Sequence, residues 1–163
     1  MHIYISNNKL SISDYKIKCV VGKRGIGVKR KEGDQITPKG KYKIKSILYR
    51  NDRISNFKTT INKLAIKKDM GWCDDTRFPK KYNKLLKIEK KIKHEKLKRK
   101  DYKYDLLLPI KYNFKKPITG QGSCIFIHLT KDYRPTAGCV ALKEKDFLIM
   151  LKLVKKNSKI KIF

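Results

Sequence analysis

The chain has 163 residues, 43 of them Lys or Arg against 14 Asp or Glu, giving a formal charge of +29 at pH 7 with 40% apolar side chains. That apolar share can bury a core, since a domain near this length hides roughly 68–70% of the surface of its unfolded chain, and short patterned runs of Ile, Leu, Val, Phe and Tyr exclude a disordered polycation. The longest apolar candidates, Asp105 to Ile110 and Ser123 to Leu129, fall far short of the roughly 20 residues that span a bilayer, so no transmembrane segment is expected.

The first 20 residues read as two short strands, His2 to Ser6 and Tyr15 to Val21, with Ser6, Asn7 and Asn8 supplying a turn. The glycine-rich stretch Gly22-Lys23-Arg24-Gly25-Ile26-Gly27 lacks the G-x-x-x-x-G-K-[ST] spacing of a phosphate-binding loop and reads as a turn between strands. Thr37-Pro38-Lys39-Gly40 is a second turn signature. Tyr42, Ile44 and Ser46 alternate with lysines in a half-exposed strand that runs to about Tyr49. From Asn51 to Asn83 the pattern is irregular, and loops and short strands that wall a pocket are expected there. Lys84 to Lys100 is rich in helix formers, with Leu85, Ile88, Ile92 and Leu97 near a 3.6-residue period, which predicts a surface helix.

Tyr104 to Tyr112 and Ser123 to Leu129 are continuous apolar strands, so both of their faces should be covered. Cys139 to Leu142 is another short apolar run. Lys143 to Val154 places Phe147, Leu148, Met150, Leu151 and Val154 at helical spacing, and Lys159 to Phe163 alternates as a last strand. The sum is a single, mostly β domain over residues 1–163 with one or two packed helices and no internal repeat.

Lys supplies nearly all of the positive charge, and Ile and Asn are abundant as well, a joint excess that an A/T-rich coding sequence would also produce. Whatever its origin, the field draws the protein toward anionic polymers, be they nucleic acid, anionic lipid or acidic wall material. Cys19, Cys73, Cys124 and Cys139 form no C-x-x-C pair, and His2, His94 and His128 make no short ligand spacing with them, which disfavours zinc. Disulfides and a single reactive thiol both fit an even count of four. The N-terminal residues show no basic region followed by an apolar run, so no secretory signal is visible in this chain.

One segment carries chemistry. Ile125-Phe126-Ile127-His128-Leu129 ends a buried strand on a histidine, and Thr136-Ala137-Gly138-Cys139 delivers a cysteine to the next element. A thiolate is a nucleophile, and an imidazole in reach of it can take the thiol proton and return it to a leaving group. Gly138 lets a substrate approach the backbone, where N–H groups near Cys139 can receive an oxyanion. Cys19 and Cys124 lie within apolar strands and read as packing. Cys73, in the polar Gly71-Trp72-Cys73-Asp74-Asp75 segment, is the rival nucleophile.

The block Gly122-Ser123-Cys124-Ile125-Phe126-Ile127-His128, followed by Pro135-Thr136-Ala137-Gly138-Cys139-Val140-Ala141-Leu142, resembles the catalytic signature of the YkuD-type L,D-transpeptidases, nearest the branch that reads P-T-A-G-C-V-A-L. Further blocks match that branch in the same order over roughly residues 20 to 155: Lys31-Glu32-Gly33-Asp34 with Thr37-Pro38 and Gly40, Tyr49-Arg50 with Asp52-Arg53, Gly71-Trp72-Cys73-Asp74-Asp75, Tyr82-Asn83, and Tyr104-Asp105 with Tyr112-Asn113. The resemblance implies a β-sandwich or barrel-like sheet with a capping helix. It also implies a reaction, in which the Cys attacks the carbonyl after the diamino acid of a peptidoglycan stem peptide, expels the terminal D-amino acid and passes the acyl group to an amine of another stem. By that likeness Cys139 is the nucleophile, His128 the base, the Leu129 carbonyl its orienting acceptor, and the N–H groups of Gly138 and Cys139 the oxyanion donors. Many relatives have a second His where this chain has Ala137, and a longer His-to-Cys spacing than the eleven positions here. No cofactor and no metal come with the resemblance, and it implies a periplasmic or cell-envelope location.

Substrate contacts are expected from Tyr49, Arg50, Arg53, Trp72 and Asp74, large or charged side chains in polar or glycine-flanked segments, together with Arg134 and Thr136 beside the Cys. Arg grips a carboxylate bidentately where Lys cannot, which favours Arg50 and Arg53 over the many lysines. Hydrolysis, with water in place of the acceptor amine, uses the same pair and stays open as an L,D-carboxypeptidase or endopeptidase reading. The expected partners are stem peptides and, by charge, anionic wall polymer. A non-catalytic wall- or nucleic-acid-binding module is a lesser alternative: the aromatics are scattered and no nucleic-acid signature appears, so no specific nucleic acid is expected.

Overall fold

The computed structural model describes residues 1–163. In chain order the strands are β1 (His2–Ser6), β2 (Lys9–Ile12), β3 (Tyr15–Lys18), β4 (Ile26–Gly27), β5 (Thr37–Pro38), β6 (Gly40–Lys43), β7 (Ser46–Tyr49) and β8 (Asn62–Ala65). They continue as β9 (Met70–Cys73), β10 (Leu85–Lys87), β11 (His94–Lys96), β12 (Leu106–Pro109), β13 (Phe126–Leu129) and β14 (Val140–Leu142), then the helix α1 (Glu144–Leu153) and β15 (Lys159–Ile162). The mostly β architecture with one helix agrees with the sequence reading.

Three sheets stack. The outer one has the order β3-β2-β1-β15-β6, the central one β14-β13-β12-β7-β8, and a small third one β10-β9-β11. In the outer sheet Ile3, Ile5, Leu10, Ile12 and Ile17 turn inward at period two while Lys9, Lys16 and Lys18 stay in water. Asn7 and Asn8 close the β1–β2 hairpin at φ 45° and 58°, the pair of positive angles a two-residue turn requires and Asn tolerates. This sheet and α1, through Phe147, Met150 and Leu151, cover one face of the central sheet, which contributes Ile47, Leu106, Leu108, Ile127, Leu129, Val140 and Leu142. The alternate residues Leu48, Leu107 and Phe126 face the opposite side, where they meet Trp72, Leu97 and Tyr104.

Several expectations change. The first 20 residues hold three strands, because Lys9–Ile12 pairs on both sides. The strand expected from Tyr42 to Tyr49 bends at buried Ile44 into β6 and β7, which enter different sheets. Thr37-Pro38, read as a turn, is the short strand β5 that pairs with β4. The helix expected over Lys84 to Lys100 is absent. Leu85–Lys87 and His94–Lys96 instead flank β9, with Leu85 and Glu95 both opposite Trp72. A helix would have stacked Lys84, Lys87, Lys90 and Lys91 at three- and four-residue spacing, where like charges repel. As strands, the same residues satisfy both edges of apolar β9. The apolar run from Ser123 becomes a strand only at Phe126, because Cys124 sits at φ 54°, outside strand geometry. No helix is long and apolar enough to cross a membrane.

Candidate active site

Strands β13 and β14 run parallel with His128 opposite Ala141 and Ile127 opposite Val140. Directly opposed residues share a face, and so do residues two apart on one strand. Cys139, two positions before Ala141, therefore stands on the His128 side of the sheet, one diagonal step away. Both open into a cleft of about 450 Å³ whose floor and walls also include Cys124, Tyr104, Glu95, Glu32 and Lys29.

His128 is buried between the sheet and the ring of Tyr104, which meets it edge-on at 5.7 Å. Its Nδ1 lies 2.9 Å from the Leu129 carbonyl. A carbonyl can only accept, so Nδ1 carries the proton and Nε2 keeps its lone pair. Burial, aided by the charges of Lys103 and Arg99, lowers the imidazole pKa to about 4 against the pull of the Leu129 hydrogen bond. Burial pushes the Cys139 thiol up to about 12, while the Phe126 backbone N–H aimed at the sulfur pulls the other way. Both groups are therefore neutral at pH 7. The thiol donates to the Cys124 carbonyl at 3.2 Å.

The turn before Cys139 is held from several sides. Thr136 Oγ1 donates to the Cys139 carbonyl at 2.5 Å and accepts from the Gly138 N–H at 3.1 Å, so that N–H is already engaged. Thr37 Oγ1 donates to the Gly138 carbonyl at 2.9 Å and accepts the Gly22 N–H at 2.8 Å. Gly138 has φ 137°, and a Cβ there would stand 3.0 Å from the Ile36 carbonyl. Only glycine fits this conformation and this approach without strain.

The structure divides the remaining expected residues. Asp74, Arg134 and Thr136 line the cleft with Cys139, His128 and Leu129. Asp74 pairs with Lys93 at 3.2 Å and leaves its Oδ1 without a partner, while Arg134 pairs with Asp132 at 2.9 Å on the rim. Tyr49, Arg50, Arg53 and Trp72 lie outside the cleft. Tyr49 packs edge-on against Phe57 beneath the main core. Trp72 packs against Phe126 and donates its indole N–H to Asn83 at 2.9 Å. Arg50 is buried, forked onto Asp52 and bonded to the Arg99 carbonyl at 2.6 Å. Arg53 reaches Asp105 and the carbonyls of Lys100 and Asp101. Both arginines thus pin the segment from Arg99 to Asp105, whose Arg99, Tyr102, Lys103 and Tyr104 wall the cleft. They hold a wall in place instead of touching the space it encloses.

Among the thiols, Cys73 is fully buried in β9, and Cys19 is buried in the main core. Cys124, read as inert strand packing, instead lines the cleft beside Cys139, so it replaces Cys73 as the second accessible thiol. Glu32, Glu95 and Lys29 also belong to the cleft and were not anticipated. Nothing in their local sequence sets them apart from other charged residues, although Glu32 belongs to the block Lys31-Glu32-Gly33-Asp34 and Lys29 stands two positions before it.

With this geometry in view, the chain matches the family model of the YkuD L,D-transpeptidase catalytic domain over residues 1–162, and it belongs to that family. No curated protein matches it.

Proposed function

We propose that this chain is a cysteine-dependent L,D-transpeptidase acting on peptidoglycan stem peptides, with Cys139 as nucleophile and His128 as general base. The observation that carries the reading is the parallel register of β13 and β14, with a thiol and an Nδ1-tethered imidazole on one sheet face, open to one cleft. Nε2 of His128 takes the thiol proton as sulfur attacks the acyl carbon, and the imidazolium so formed gives that proton to the departing amine. A thioester remains on Cys139. Because both groups start neutral, proton transfer accompanies attack and no stored thiolate is needed. The Cys139 N–H is the nearer oxyanion donor in this scheme, since the Gly138 N–H must first leave Thr136 Oγ1.

The cleft lining is mixed, with the carboxylates Glu32, Asp74, Glu95 and Asp132 beside the cations Lys29, Arg99, Lys103 and Arg134, which suits a stem peptide that carries both carboxylate and amine groups. Stem peptides place the work in the cell envelope, where the basic surface also suits anionic wall polymer. Mass spectrometry of peptidoglycan fragments after incubation tests the reading. The native chain should release the terminal D-amino acid and yield a crosslinked or exchanged product, and Cys139→Ala should yield neither. Equal product from both proteins would overturn it.

A further inference from the structure

The loop between β4 and β5 drives a lysine into the protein. Only 2% of the Lys29 side chain is exposed, and its Nζ lies 2.5 Å from Oδ1 of Asp34, itself 4% exposed. The carboxylate is well satisfied, since it also accepts the N–H groups of Ile36 at 3.1 Å, Arg30 at 3.0 Å and Lys31 at 3.4 Å. Although burial works against ionisation, these bonds and Lys29 bring the Asp34 carboxyl down to about 2. The ammonium is in the opposite state. It has three N–H donors, and Asp34 accepts its one hydrogen bond. Donors that far from bulk water are ordinarily filled.

The course of the side chain shows where the spare donors lie. A Cβ on Gly122 would stand 2.3 Å from Lys29 Cε, and one on Gly138 would stand 3.6 Å from Nζ. Lys29 thus threads past one glycine and ends beside the other, next to the peptide that leads into Cys139. It also lines the cleft.

We infer that the Lys29 ammonium, fixed by Asp34, is the charged donor that stabilises the negative charge developing at Cys139, on sulfur as its proton leaves and on the oxyanion of the tetrahedral adduct. The inference rests on the acyl transfer proposed above. As the thiol proton passes to His128 Nε2 and the C–S bond forms, the carbonyl electron pair moves onto oxygen. When the adduct collapses, the C–N bond breaks and the amine leaves with the proton from His128. Lys29 keeps its own protons throughout and acts by charge and hydrogen bonding alone. Burial and Glu95 from β11 oppose the thiolate, while the Phe126 N–H and, from the buried pair, Lys29 favour it. The other groups that face the thiol are His128 on β13, Tyr104 ahead of β12, and Cys124 with its carbonyl.

Alkylation by iodoacetamide reports thiolate content with no stem peptide present. Its rate at Cys139, followed by peptide mass spectrometry on the intact folded chain at pH 9, should fall about tenfold in Lys29→Met, the equivalent of about one unit in thiol pKa. Lys29→Arg should stay within about twofold of native, because it restores the charge. Lys29→Met/Asp34→Asn strands no buried charge, so it guards against misfolding of the single variant, and it should show the same slowing. A folded double variant that reacts at the native rate, or an Arg variant as slow as Met, would overturn the role. The two proposals fail separately. Native-rate alkylation of the double variant, with transfer intact in the native chain, removes Lys29 alone. Slowed alkylation without any reaction of stem peptides supports the charge effect and removes the transpeptidase reading.

Discussion

Along β13, Ile127 and Leu129 face one side of the central sheet and Phe126 and His128 the other, so one four-residue strand serves two different environments. The first side belongs to a cluster of 24 buried apolar residues closed by the outer sheet and α1. The second has only seven, four of them the aromatic or aliphatic wall made by Trp72, Tyr104, Phe126 and Leu97, and beyond them lie the cleft and its ionisable groups. The dry side fixes strand positions, and the wet side uses that fixity to hold His128 and Cys139 in register. Substitutions on the two sides should therefore fail differently.

The largest contrast is within β13 and β14. Cys139→Ala should abolish transfer, and His128→Ala should lower turnover about 10²- to 10⁴-fold, with little loss of fold in the cysteine variant. Ile127→Ala should instead cost roughly 2–5 kcal/mol of stability, read by denaturant unfolding, while molecules that remain folded keep their reaction with stem peptides. Comparable unfolding losses in Cys139→Ala and Ile127→Ala would break the distinction between the faces.

The next effect is pH dependence. His128 is lowered from its ordinary 6.5 to about 4 by burial, and the neutral ring is the base. kcat/KM should stay level as pH falls from neutrality to about 5, then drop along a limb near pH 4. Stability has the same sign. The unfolded chain takes up a proton near 6.5 that the folded site resists until about 4, so His128 destabilises the fold progressively as pH falls through that window. His128→Gln should flatten that part of the stability profile. An acid limb of kcat/KM at 6.5 would contradict the buried, neutral imidazole.

A smaller effect is expected at the support of the cleft wall. Arg50→Lys loses the fork onto Asp52 and the bond to the Arg99 carbonyl, so it should cost about 1 kcal/mol and raise KM more than it lowers kcat. An unchanged KM with a lowered unfolding midpoint would confine Arg50 to the fold. The smallest is Trp72→Phe, which removes the bond to Asn83 but keeps a ring against Phe126, for about 1 kcal/mol or less and no change in turnover.

What could be read in the sequence follows the same division. Period-two alternation in His2–Ser6, helical spacing in Glu144–Leu153 and the apolar runs around His128 and Cys139 are local signals, and each corresponds to an element of the fold. Leu85, Ile88, Ile92 and Leu97 fit a helix just as well locally, and only β9, which needs partners on both edges, decides against it. Arg50 and Arg53 read as ligands because Arg grips carboxylates bidentately, whereas Arg50 spends its fork on Asp52 two positions on, and both reach acceptors about fifty positions away in the segment from Arg99 to Asp105. Cys124 reads as strand from its neighbours, although Gly122 two residues earlier is a breaker that could have warned of its positive φ. Lys29 was one lysine among many. Its singular position is visible only when Asp34, Gly122 and Gly138, which surround it, are seen together.

The central claim is that Cys139 becomes acylated with His128 as its base. Intact-protein mass spectrometry of the native chain after brief mixing with a soluble tetrapeptide stem, quenched in acid and mapped by proteolysis, addresses it directly. The expected result is one added stem acyl group, less the terminal D-amino acid, on the Cys139 peptide, strongly reduced in His128→Ala and absent in Cys139→Ala. An adduct mapped to Cys124, or one that persists in Cys139→Ala, would contradict it.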